Sequence, residues 1–182
     1  KDDWGSRGNV VSSVRAGNVI GGGDWSEHRI IPDLARAFAK GMPLVIRSPG
    51  SVRPWQYILD VLNGYICLAQ KAYCNSELHG SAWNIGPDIT DVHSVQDIMD
   101  IATKLWNGTI EISGQTEFIE ANQLVLDSSK MRAKIGWKPA FGFNLAVERT
   151  VEWYKKAADG QDIRTLCLEE VELFNVGGLN EK

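Results

Sequence analysis

The sequence predicts an α/β fold in which helices separate short strands of the buried, parallel kind. Three observations predict it. Val10–Arg15 gathers Val10, Val11 and Val14 into one β-branched run, and the chain then leaves through a glycine cluster, Gly21-Gly22-Gly23. Two longer segments, Ile30–Lys40 and Ile58–Tyr73, repeat apolar residues at i, i+3, i+4 and i+7, the spacing of one helix face. Short apolar runs, Leu44–Arg47 and Ala82–Ile85, alternate with those helices, each bounded by glycine and proline.

Each element has its own local reason. Lys1–Asn9 is polar and reads as a loop. In the strand Val10–Arg15 the β-branched side chains favour an extended backbone. Asn18 stands where that strand is expected to end, and the Asn18–His28 loop follows. The helix Ile30–Lys40 carries Pro32 in its first turn, where no N–H is needed, and Gly41 stops it. Leu44–Arg47 reads as a strand and Ser48–Pro54 as a turn. The helix Ile58–Tyr73 is expected to bury Ile58, Val61, Leu62, Tyr65, Leu68, Ala69 and Ala72. Ala82–Ile85 is a strand closed by Gly86-Pro87. Ser94 and Asp97 have capping-box spacing at the head of a third helix, with Val95, Ile98, Ile101, Ala102 and Leu105 as its stripe. Thr109–Ile112 and Leu124–Leu126 read as extended, and Asp127-Ser128-Ser129 begins a short helix that ends at Gly136. Asn144 is expected to cap a last clear helix through Ala158, after which a weak apolar pattern frays beyond Val176.

Composition narrows the function. A chain of 182 residues, 43% hydrophobic and 23% charged, can bury a core. A net charge of -4 argues against a nucleic-acid surface, which needs a basic stripe. No apolar run approaches the ~20 residues of a membrane span. No apolar core of a signal peptide stands in Lys1–Asn9. Three cysteines without regular spacing, Cys67, Cys74 and Cys167, suggest reduced thiols and hence a cytoplasmic protein, with Cys67 and Cys74 as small core side chains. His28, His79 and His93 are scattered, and no metal site is expected.

Candidate binding residues gather near the glycine cluster. In an open α/β sheet, ligands lie beyond the carboxyl ends of the strands. Asn18 stands at such an end, with an amide able to meet a sugar hydroxyl or a phosphate. Arg29 precedes a helix whose N-terminus attracts anions. Arg47 and Arg53 flank the turn Ser48–Val52 and are able to converge on one diphosphate, with Trp55 or Tyr57 free to pack on a base or sugar. The glycine cluster lacks Gly-x-Gly-x-x-Gly spacing and reads as a wide turn needing positive φ. Catalytic candidates are absent. The four tyrosines, Tyr57, Tyr65, Tyr73 and Tyr154, are followed four residues on by Val61, Ala69, Glu77 and Ala158, so no Tyr-x-x-x-Lys pair occurs.

Four runs together carry a resemblance. They are Arg15-Ala16-Gly17-Asn18-Val19-Ile20-Gly21, Arg53-Pro54-Trp55-Gln56-Tyr57-Ile58-Leu59-Asp60, Trp83-Asn84-Ile85-Gly86, and Leu126-Asp127-Ser128-Ser129-Lys130 with Gly136-Trp137-Lys138-Pro139. In this order they resemble the C-terminal half of extended short-chain dehydrogenase/reductases, the NAD-dependent epimerase/dehydratase family that acts on nucleotide sugars. The resemblance covers about residues 9–175. It implies the C-terminal part of an extended short-chain dehydrogenase Rossmann fold plus the small mixed α/β substrate-binding domain. The implied division is a last Rossmann-sheet strand and ligand loop at 1–28, a substrate-binding domain with interleaved Rossmann elements at 29–176, and a frayed tail at 177–182.

The resemblance also implies roles. Asn18, Arg29, Arg47 and Arg53 would contact substrate, with Glu120 as a ribose- or phosphate-side neighbour. Ala16 and Val19 would approach the nicotinamide end of NAD through backbone atoms. The substrate it implies is a nucleotide sugar, CDP-glucose, undergoing 4,6-dehydration in a homodimeric full-length enzyme, with neither nucleic acid nor membrane as partner. The dinucleotide loop and the Tyr-x-x-x-Lys pair lie upstream in the family, so the chain is expected to be a fragment and inactive alone. The Val10–Arg15 strand is then expected to expose apolar side chains. A non-catalytic nucleotide-sugar binding module, and an epimerase or reductase of the same scaffold, are the rival readings.

Overall fold

The structure is a computed structural model that describes residues 11–113 and 123–179. Its strands run β1 Ser13–Ala16, β2 Asn18–Ile20, β3 Leu44–Ile46, β4 Val52–Arg53, β5 Trp55–Tyr57, β6 Ala82–Ile85, β7 His93–Ser94 and β8 Ile110–Ile112. Its helices are α1 Ile30–Ala39, α2 Ile58–Cys74, α3 Val95–Leu105, α4 Ser129–Ile135, α5 Phe143–Ala158 and α6 Ile163–Leu179. Strands pair in twos. β1–β6, β2–β5 and β3–β8 are parallel and β4–β7 is antiparallel.

The first strand ends differently from the expectation. It breaks at Gly17 and resumes as β2, so Asn18 opens a second strand. At the break the chain changes partners, from β6 to β5, and the Asn18 N–H donates to the Pro54 carbonyl at 2.9 Å. A side chain at Gly17 would collide with that carbonyl and with the Pro54 ring. Of the strand's valines, Val11 is exposed while Val14 is half-buried against the core beneath β6.

Two apolar cores result. One joins Val61 and Leu68 of α2 to Trp83 and Ile85 of β6, Met131 and Ile135 of α4, and Trp137. The larger joins Leu34 and Phe38 of α1, Trp55 and Tyr57 of β5, Ile98 and Met99 of α3, and Val147, Val151, Trp153 and Tyr154 of α5. α3 begins with the expected capping box, Ser94 and Asp97 each accepting the other's backbone N–H. Three expectations are corrected. Gly142, not Asn144, is the N-cap of α5, because the helix starts two residues earlier with Phe143 buried. Cys74 is exposed rather than a core residue, whereas Cys67 is partly buried against the smaller core. The tail is the helix α6, docked by a buried polar cluster: the Tyr57 hydroxyl donates to Glu170 at 2.6 Å, and Arg149 pairs with the same carboxylate. α2 also departs from its expected face. It buries Val61, Gly64, Leu68 and Ala72 and leaves Leu62, Tyr65, Ile66 and Tyr73 exposed.

Candidate active site

The break at Gly17 and the start of α1 enclose a hollow of about 490 Å³. Gly17, Asn18 and Val19 form its floor. Ile30, Ile31 and Pro32 bring the first turn of α1, and Ser51, Arg53 and Trp55 bring the β4–β5 corner. Arg29 is the N-cap of α1, with extended backbone (φ -112°, ψ 136°), and no side chain caps that helix. Pro32 has no N–H to satisfy, so the amides of Ile30 and Ile31 remain available to an anion.

Asn18, Arg29 and Arg53 therefore share one hollow, together with Val19. Arg47 lines a second hollow of about 480 Å³, alongside Val45, Ile46 and Asp33. His28, Ile30 and Val95 belong to both walls, so the two spaces adjoin. Ala16 packs against the core beneath β6, one residue short of the floor. Glu120 lies outside the described residues.

The glycine-rich loop is held by packing. A Cβ at Gly21 would overlap Ile58, and one at Gly22 would overlap the ring of Trp153. Only Gly23 has the positive φ (90°) expected of the whole cluster. These contacts, and the nine residues between the cluster's start and α1, leave no dinucleotide-binding turn there. Beyond the cluster, Asp24 accepts from Arg29 at 3.1 Å and from the Ser26 amide at 3.0 Å. The Ser26 backbone N–H chiefly, and Arg29 with it, hold the Asp24 carboxyl below the usual carboxylate range. The Tyr154 hydroxyl donates to the Asp24 carbonyl, and its phenol is pushed up to about 12 by burial. Trp25 meets Tyr154 edge-on, ring centres 5.2 Å apart.

The β4–β5 corner is equally fixed. Arg53 pairs with His93 across the β4–β7 ladder and donates to the Val52 carbonyl at 2.8 Å. The Trp55 indole donates to the His93 carbonyl at 3.1 Å, and the His93 ring stacks on Phe143 at 3.7 Å. Trp55 thus lines the hollow from the edge of the core, whereas Tyr57 lies within the core, stacked on Phe141. Among the lining residues, Asp24, His28 and Tyr154 escaped sequence reasoning. Tyr154 sits in a helix pattern that marks it as core, and 130 positions separate it from the Asp24 it touches.

Arg29 and Arg53 against Asp24 leave the hollow one positive charge in excess, before the free helix amides are counted. Such a space accepts a dianionic group with an uncharged polar body attached. Among the described residues, no cluster of His, Cys, Asp or Glu fits a metal ion, and no helix is long and apolar enough to cross a membrane.

Comparison with known proteins agrees with this geometry. Residues 4–86 match the model of the NAD dependent epimerase/dehydratase family, and the chain has that family's Rossmann-like α/β fold. It is 39% identical over 163 residues to CDP-glucose 4,6-dehydratase of Salmonella typhimurium, covering 88% of this chain and 45% of that protein. The resemblance carried by the four sequence runs is thereby borne out. Among solved structures, UDP-glucuronic acid 4-epimerase from Bacillus cereus, in complex with UDP-glucuronic acid and NAD, superposes with a TM-score of 0.69 at 20% identity over 82% of this chain and 46% of its own. The dTDP-glucose 4,6-dehydratase from Bacillus anthracis, in complex with NAD, gives 0.67 at 20% identity over 86% and 47%. The chain spans less than half the length of each.

Proposed function

We propose that this chain forms the substrate-binding half of a cytoplasmic, homodimeric, NAD-dependent nucleotide-sugar 4,6-dehydratase, converting CDP-glucose to CDP-4-keto-6-deoxyglucose and water. The observation that carries the reading is the convergence of Asn18, Arg29, Arg53 and an uncapped helix end on one hollow. Arg53 and Arg29 pair the diphosphate oxygens, with the α1 amides behind them. Asn18, at the head of β2, orients the phosphate or the hexose by donating and accepting at once. Arg47 serves the nucleoside in the adjoining hollow, and the family resemblance assigns Glu120 to the ribose or phosphate side. The identity to a CDP-glucose 4,6-dehydratase supports the choice of cytidine and glucose.

NAD supplies the hydride acceptor when bound. The chain's own residues fit one end of it. Gly17 and Val19 give the floor a small, apolar surface suited to a flat nicotinamide ring, and Ala16 contributes backbone beside them. The packed glycine cluster offers no cradle for the dinucleotide phosphates, so that grip belongs to another segment.

The apolar side chains left exposed on α2, and Val11 beside the β1 edge, favour a half that packs on more protein over a stand-alone binding module. The epimerase reading is favoured by the neighbours' shared fold and is separated by product. Incubation of the full-length protein carrying this sequence with CDP-glucose and NAD is expected to give a 4-keto-6-deoxy product, seen as an 18 Da mass loss, about one water. A product of unchanged mass refutes dehydration, and absence of any CDP-glucose binding refutes the site.

A further inference from the structure

Three histidines occur, and two are tied down. The His79 ring meets the Ala72 carbonyl at 3.0 Å, and His93 meets Asp91 at 2.6 Å while stacking on Phe143. The His28 ring has no hydrogen bond, ion pair or ring contact among the described residues. It lines both hollows, and of the three residues common to their walls, His28, Ile30 and Val95, it alone carries a hydrogen-bonding side chain.

Its backbone is also unusual. His28 has φ 62°, the sole non-glycine at positive φ among the described residues. A Cβ-bearing residue is disfavoured there, and glycine or asparagine would relax the turn. The chain nonetheless sets an imidazole at this point, immediately before Arg29 and the uncapped end of α1. The neighbouring acid, Asp33, is engaged by Arg36 at 2.5 Å.

We propose that His28 is a substrate-contacting residue, whose ring N–H donates to a phosphate or pentose oxygen where a nucleoside diphosphate passes from one hollow to the other. The inference rests on the nucleotide-sugar reading and extends it. The diphosphate occupies the space of Arg29 and Arg53, the nucleoside lies on the Arg47 side, and His28 grips the bend between them. Strain that a glycine would remove persists because the ring is used.

The test pairs stability with affinity. His28→Gly and His28→Asn are made in the full-length protein carrying this sequence, and CDP-glucose, CDP and cytidine are titrated by calorimetry alongside thermal denaturation. His28→Gly is expected to raise Tm while weakening CDP-glucose and CDP about tenfold, the loss of one charge-assisted hydrogen bond. Cytidine is expected to lose much less. His28→Asn, which tolerates positive φ and keeps a donor, is expected to recover part of the affinity. Unchanged affinities in both variants overturn the inference alone. A Tm lowered in step with affinity assigns His28 a folding role and also overturns it. Failure of the unaltered protein to bind any of the three ligands overturns the functional reading, and this inference with it.

Discussion

Gly22→Ala tests whether the glycine cluster is built for packing or for turning. In an unstrained loop, replacing glycine by alanine stabilises by about 0.4–1 kcal/mol, because the unfolded chain loses freedom. Here the new Cβ would lie closer than 3.0 Å to Cδ2, Cε2 and Cγ of Trp153. That ring is 2% exposed and meets Tyr154 edge-on at 5.2 Å, so it has no room to swing aside. The loop must move instead, at the usual overpacking cost of about 1–3 kcal/mol. The net expectation is a loss of about 1–2 kcal/mol, a Tm drop of roughly 2–8 °C for a domain of this size. Displacement carries Asp24 with it and loosens the Arg29 pair, so nucleotide-sugar affinity falls too. The assay is thermal denaturation of Gly22→Ala, Trp153→Leu and the double variant. Trp153→Leu alone opens a cavity costing about 3 kcal/mol, but it removes the atoms that the Cβ strikes. The double variant is therefore expected to be more stable than additivity predicts by over about 1 kcal/mol. A neutral or stabilising Gly22→Ala, with additive energies, would refute the packing argument.

Other outcomes follow from single side chains. Arg53→Ala is expected to weaken CDP-glucose binding by about 2–4 kcal/mol, and Arg47→Ala by less, because Arg53 shares the hollow of Arg29 and Asn18; calorimetry showing equal losses would count against that partition. Asp60 is fully buried, accepting from the Ala140 and Phe141 amides, and burial raises its carboxyl to about 6 despite those bonds. A raised folded value favours the protonated form, so this stabilisation is whole below the unfolded value of 3.8 and is lost as pH rises through about 6. Relative to Asp60→Asn, the unaltered protein should lose on the order of 2–3 kcal/mol between pH 4 and pH 7 by chemical denaturation, and a constant or widening advantage would contradict it. Gln56 is 3% exposed with neither amide atom paired among the described residues. Gln56→Met is thus expected to be neutral or to stabilise by about 1 kcal/mol, and a clear loss of Tm would reveal a partner for the amide.

Elements governed by local chemistry were legible from residues alone. Ala82–Ile85, the helix from Ile58 and the Ser94–Asp97 capping box follow from β-propensity, periodicity and spacing within a few positions. The division of the first strand at Gly17 was not, because it depends on a proline carbonyl 37 positions away. α6 was missed for a similar reason. Its apolar residues Leu168, Val171 and Val176 are exposed, which blurs its period, while only Leu166 and Phe174 reach the core and a glutamate bonded to Tyr57 and Arg149 completes the docking.

The site divides along the same line. Asn18, Arg29 and Arg53 were legible as candidates because each is a polar or charged residue beside a local boundary, a β-branched run, a helix start and a proline turn, although the strand break that makes Asn18 a strand head and the ladder that holds Arg53 were not. Their convergence is a tertiary event, fixed by β2 lying on β5 and by Trp153 and Tyr154 closing on the loop. Sequence spacing suggested that Arg47 and Arg53 meet across one turn. The β4–β7 pairing instead turns Arg53 toward Asn18, while Arg47, just beyond the end of β3, faces the second hollow. Two adjoining hollows with separate arginines suit an extended ligand gripped at its middle and at one end better than a compact dianion gripped twice. On the proposed reading, the size of the ligand is therefore set less by any one arginine than by the five residues that separate Arg47 from Arg53.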